Sequence, residues 1–79
     1  MFGELGDQRA TASTYDQLGG QQRRLGECSD AIVSFRRCES IAKKIGDKQQ
    51  RSSSLHNIAL VLTDQGEVEE AIHAYEESL

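Results

Sequence analysis

Seventy-nine residues, 37% of them hydrophobic, suit one small domain with a thin core, and two Phe, two Tyr and no Trp leave large apolar anchors scarce. The formal charge of −4 goes against a nucleic-acid surface, which needs clustered Lys and Arg. The longest purely apolar run, 58–62, is far below the ~20 residues that span a bilayer, and Met1–Leu5 is too short, and carries Glu4, to serve as an export signal.

Proline is absent, so glycine is the punctuation. The spacing predicts helices near 8–24, 28–45, 48–64 and 68–79. In the first, Tyr15, Leu18, Gly19 and Leu25 recur at helical spacing before Gly26. The second carries the stripe Cys28, Ala31, Ile32, Phe35, Cys38, Ala42 and Ile45, closed by Gly46. Leu55, Ile58, Ala59 and Leu62 form the third, closed by Gly66, and Val68, Ala71, Ile72, Tyr75 and Leu79 form the fourth. One narrow apolar stripe per helix is what an amphipathic helix needs to pack on its neighbours. Each closing glycine stands where a left-handed residue ends a helix without a Cβ penalty. Asp30, Asp47, Glu67, Glu69 and Glu70 cluster at the positive starts of helices, and Lys43 and Lys44 at a negative end.

These elements repeat. Gly6-Asp7 recurs as Gly46-Asp47, a period of 40, and the same offset matches Ser13 with Ser53, Gly26-Glu27 with Gly66-Glu67, and Ala31-Ile32 with Ala71-Ile72. Leu18 then faces Ile58, Phe35 faces Tyr75, and Met1 and Leu5 align with Ile41 and Ile45. The division expected is the end of a preceding repeat at 1–6, one repeat at 7–46, and a second, truncated repeat at 47–79.

Tyr15-x2-Leu18-Gly19 with Ala31-x3-Phe35, and Leu55-x2-Ile58-Ala59-x2-Leu62 with Ala71-x3-Tyr75, resemble the tetratricopeptide repeat, whose pattern runs W-x2-L-G-x2-Y, then A-x3-F, then P. Gln22 stands at the usual second aromatic position, and the final Pro is missing. With the long period, these departures resemble the subtype seen in kinesin light chains and in bacterial regulatory proteins. The resemblance implies an all-α fold, a TPR-like α/α right-handed superhelix of antiparallel helix pairs. The alternative is a generic helical bundle.

The resemblance also implies a function. Arrays of this family bind an extended or helical peptide on the concave face lined by the first helix of each repeat. That places Ser13, Asp16, Gln17, Gly20, Arg23, Arg24, His56, Asn57, Leu60, Thr63 and Asp64 on the binding face. Asn57 reads either as a grip on a peptide backbone amide, since an amide side chain both donates and accepts, or as a solvated surface amide. Gln17 holds the equivalent place in the first unit. Asp16 and Gly20 stand where carboxylate-clamping relatives carry Lys and Asn, so binding of a chaperone tail is not expected. Arg23-Arg24 suits an acidic partner or simple solvation.

Other chemistry is not expected. Cys28 and Cys38 lie ~15 Å apart along one helix, beyond disulfide reach; they read as reduced thiols of a cytoplasmic protein. With His56 and His73 they match no compact zinc spacing. Glu69-Glu70 and Glu76-Glu77 read as solvating charges. No nucleotide loop or nucleophile motif is present, so neither an enzyme nor a cofactor is expected. The partner expected is a protein or peptide. A second reading makes the segment a structural or self-associating piece of a solenoid. Phe2 and Leu5 at one end and Val68, Ile72 and Tyr75 at the other would then meet a second copy, helped by a net +2 over residues 1–51 and −6 over 52–79.

Overall fold

A computed structural model describes residues 4–66 together with His73, Glu76 and Glu77, with Glu4 and Leu5 described in backbone only. Three helices follow one another: α1 (Glu4–Arg24), α2 (Cys28–Ile45) and α3 (Lys48–Asp64). His73, Glu76 and Glu77 are also helical, and exposed. The rest of the expected fourth helix lies outside the described residues, with its stripe Val68, Ala71, Ile72, Tyr75 and Leu79. So do Met1, Phe2 and the side chain of Leu5. No strand occurs among the described residues, as the all-α reading requires.

The turns form as their residues dictate. Gly26, Gly46 and Gly66 adopt φ of 79°, 74° and 81°, left-handed values that only glycine reaches freely. After α2 the Gly46 N–H donates to the Lys43 carbonyl at 3.3 Å and Asp47 N–H to that of Ala42 at 2.9 Å. Gly26 and Glu27 make the same pair of bonds to Arg23 and Gln22. This double closure satisfies carbonyls that a helix end otherwise leaves open. Asp47 then starts α3, its carboxylate accepting from Gln50 N–H at 3.1 Å. Glu27 starts α2 without any such side-chain bond.

One boundary differs from expectation. Helix α1 begins at Glu4 and runs through Gly6-Asp7, where the repeat alignment with Gly46-Asp47 suggested a joint. Gly6 is not among the left-handed glycines. An interior glycine costs about 1 kcal/mol, which a helix of 21 residues carries within its ladder.

Helix α2 is the hub, packing on α1 at one side and on α3 at the other. Ala31 and Phe35 of α2 join Leu55, Ile58, Ala59, Val61 and Leu62 of α3 in one core, with Cys28 and Ile32 against its edge. Val61, absent from the expected stripe, is fully buried. The α1 contact rests instead on small residues two turns apart, Ala12 and Gly19, both buried. Leu18 and Leu25 of the expected stripe are 44% and 72% exposed. At ~100° per residue these two leucines lie well around α1 from the row of Ala12 and Gly19 that faces α2.

Two buried serines are satisfied. Ser34 Oγ donates to Gln22 Oε1 at 2.6 Å, tying α2 to α1 through the position where the repeat pattern has an aromatic. Ser54 Oγ lies 2.9 Å from the Gln50 carbonyl and 3.0 Å from Cys38 Sγ. Burial pushes the Cys38 thiol up, so it stays protonated and inert.

Candidate functional site

Because α1 and α3 both pack on α2 rather than on each other, an open groove of about 720 Å³ lies between them. Asp16, Gln17, Gly20, Gln21, Arg23 and Arg24 of α1 line one wall, Asn57 and Asp64 of α3 the other, and Phe35 of α2 the floor. Two polar links cross it. Asn57 Nδ2 donates to Asp16 Oδ1 at 3.0 Å, and Arg23 Nε donates to Asp64 Oδ2 at 2.7 Å, with Nη2 to Oδ1 at 3.4 Å. Each link joins residues 41 apart, and along both helices the second follows the first by seven residues, ~10.5 Å. The two links thus form a ladder of two rungs with open floor between them.

That floor has a local cause in adjacent glycines. A Cβ on Gly19 would meet the Phe35 ring at 2.7 Å, so its absence lets the ring come against α1. A Cβ on Gly20 would meet nothing within 4 Å, so its absence widens the groove.

Of the residues expected on the binding face, Asp16, Gln17, Gly20, Arg23, Arg24, Asn57 and Asp64 come together here. Ser13, His56, Leu60 and Thr63 lie outside the lining. Thr63 turns its hydroxyl back to the Ala59 carbonyl at 2.8 Å, Leu60 is half-buried, and Ser13 and His56 are exposed. Asn57, read as either a peptide grip or a solvated surface amide, is tied across the groove to Asp16 of α1. Gln21 and Phe35 are additions. The signal for both was the Gly19-Gly20 pair, which opens α1 to the ring below and sets Gln21 on the rim one turn after Gln17.

The electrostatics are mild. The Arg23 guanidinium, hydrogen-bonded to Asp64, holds that carboxyl below the ordinary aspartate value of 3.8. A lowered folded value means the bridge stabilises fully above 3.8 and is lost as pH falls through the folded value. Both partners are well exposed, 38% and 40%, so the contribution is small and salt-sensitive. In a carboxyl NMR titration, Asp64 is expected to ionise below pH 3.8 and to return towards it in Arg23→Gln. An identical midpoint in both proteins would contradict the bridge.

Among the described residues no His, Cys, Asp or Glu group could hold a metal, and no helix is long and apolar enough to cross a membrane. The arrangement offers hydrogen-bond donors and acceptors on the two walls of the groove. No curated protein and no solved structure matches the chain significantly. The tetratricopeptide repeat family model matches residues 10–79, a span that covers the described helices from Ala10 onwards, and the chain belongs to the tetratricopeptide repeat family.

Proposed function

We propose that the chain acts as a protein-interaction scaffold that takes an extended or helical segment of a partner into the α1–α3 groove. Tetratricopeptide repeats are in general protein–protein interaction modules. The observation that carries the finer reading is the Asp16–Asn57 link on the groove wall. An amide in that place can give its N–H to a peptide carbonyl and accept from a peptide N–H, exchanging one weak link for two bonds. Arg24, exposed on the rim, offers a positive charge to an acidic side chain of the partner.

Supporting the long-repeat subtype are the 40-residue offset, the absent proline and Gln22. The left-handed turns at Gly26, Gly46 and Gly66 recur at even spacing, which fits repeats at 7–46 and 47–79 winding as a right-handed superhelix. The free thiols of Cys28 and Cys38 suit a reducing, cytoplasmic setting. The binding residues, rather than any catalytic group, carry the activity.

The test uses a peptide selected from a random display library against the whole chain. Asn57→Ala should weaken its binding by ~1 kcal/mol or more, the range for a lost hydrogen bond. The melting transition should stay close to that of the parent, because Asp16 remains hydrated when its partner is removed. Unaltered affinity with an unaltered fold removes Asn57 from the site.

A second reading has its own observation. The exposed Leu18 and Leu25 give α1 an apolar edge suited to a neighbouring helix pair, as in a segment that propagates a solenoid. The end residues that would join two copies in that reading, Phe2, Leu5, Val68, Ile72 and Tyr75, carry no described side chains.

A further inference from the structure

The outer face of α2, remote from the groove lining, carries concentrated positive charge. Arg36, Arg37, Lys43 and Lys44 are all exposed, with exposed Ser40 midway between the two pairs. Seven residues bring a helix nearly back to the same face, ~10.5 Å along its axis. Arg36 therefore lines up with Lys43 and Arg37 with Lys44, giving a rectangle of four cations. Arg37 is anchored over the Tyr15 ring, 5.8 Å from its centre. The ion pairs among the described residues are Arg23–Asp64 and Arg51–Glu39, and neither includes a member of the rectangle. Glu39, the one acid within this stretch of α2, is turned to Arg51 at 3.1 Å.

The chain itself contains the complement. Glu69-Glu70-x2-His73-x2-Glu76-Glu77 repeats the spacing of Arg36-Arg37-x2-Ser40-x2-Lys43-Lys44, with the charge inverted at all four corners. His73, Glu76 and Glu77 are helical and exposed, and the sequence expectation of one helix over 68–79 sets Glu69 and Glu70 two turns earlier. The wider distribution agrees: residues 52–79 contain six acids and no Lys or Arg.

We propose that the basic face of α2 docks the Glu69–Glu77 segment of a second copy of the chain, side against side, four cations on four carboxylates. The exposure of Glu76 and Glu77, and the absence of any ion pair on the rectangle among the described residues, set the occupant in another molecule. Because both patterns read alike in either direction, parallel and antiparallel docking bring the corners together equally well. Two copies that exchange segments reciprocally satisfy both faces and close as a dimer; otherwise the contact propagates. Exposed ion pairs are individually weak, so the association is weak and governed by ionic strength. It uses the flank of α2 and is independent of the groove.

Sedimentation equilibrium of the whole chain, as protein concentration rises, tests it. At ~0.01 M salt, where the screening length is about 30 Å, the average mass should climb; at ~1 M, where it is about 3 Å, the chain should be monomeric. Arg36→Glu with Lys43→Glu should abolish the association, and so should Glu69→Lys with Glu76→Lys. Arg36→Glu, Arg37→Glu, Lys43→Glu and Lys44→Glu combined with Glu69→Lys, Glu70→Lys, Glu76→Lys and Glu77→Lys should recover it, since both faces are then inverted whole. Should a reversal disturb the helices by circular dichroism, the milder Arg36→Gln with Lys43→Gln removes two pairs from each contact and should raise the dissociation constant about 2- to 30-fold per contact. A monomer at low salt, association indifferent to these changes, or failure of the folded chain with both faces inverted to recover would each overturn the proposal.

Discussion

Phe35→Ala is expected to leave the chain without a cooperative unfolding transition at room temperature. Phe35 is 2% exposed and lies in one cluster with Ala31, Leu55, Ile58, Ala59, Val61 and Leu62. It also closes against the bare backbone of Gly19, so the same ring joins α2 to both neighbours. Truncating a buried Phe to Ala costs about 3–5 kcal/mol through lost transfer energy and the cavity left behind. A domain this small holds roughly 5 kcal/mol in all, near the low end of natural stabilities. The loss is therefore most of the total. Urea unfolding followed by helical circular dichroism is the check, and a melt close to that of the parent would show that the three helices do not depend on this ring.

The adjacent glycines should respond in opposite directions to the same substitution. Both lie inside α1, where replacing Gly by Ala gains about 1 kcal/mol of helix propensity. At Gly20 that gain stands alone, because the new methyl meets nothing within 4 Å; Gly20→Ala should stabilise by about 1 kcal/mol. At Gly19 the methyl would stand 2.7 Å from Phe35 Cε1 and 2.8 Å from Cδ1 and Cζ. Phe35 is hemmed in by the core, so the ring cannot swing aside freely. Overpacking of this kind typically costs 1–3 kcal/mol, enough to cancel or exceed the propensity gain. Gly19→Val, with two further methyls and a smaller gain in propensity, should be clearly destabilising. Phe35→Leu should reduce the penalty of Gly19→Ala, a coupling that a double-mutant cycle measures. Equal stabilisation at both positions would mean that α1 stands farther from α2 than described.

Legibility from the sequence follows the range of the interactions. Turn chemistry is local: each left-handed glycine, and the Asp47 start of α3, could be assigned from a few neighbouring residues. Apolar periodicity gave the helices and most of the α2 and α3 core. It failed at Leu18 and Leu25, because periodicity reports which residues share a face without reporting how wide the seam is. It passed over Val61, which lies beside the stripe of Leu55, Ile58, Ala59 and Leu62 and is taken into the same core. At the groove, seven of the residues expected on one face, Asp16, Gln17, Gly20, Arg23, Arg24, Asn57 and Asp64, line the same space. The bonds across that space were beyond the sequence pattern, because Asp16 meeting Asn57 and Arg23 meeting Asp64 depend on the separation of two helices that α2 sets. The role of Phe35 as floor lay hidden for the same reason, with only Gly19-Gly20 as a clue.

Backbone amide NMR shifts during titration with a library-selected peptide test the binding account most directly. Binding in the groove should move the signals of Gln17, Gln21, Arg24 and Asn57, which line or rim it, and leave Ser29 and Arg36 on the exposed side of α2 unmoved. Saturable binding whose shifts fall on Ser29 and Arg36, with Gln17 and Asn57 silent, would contradict it.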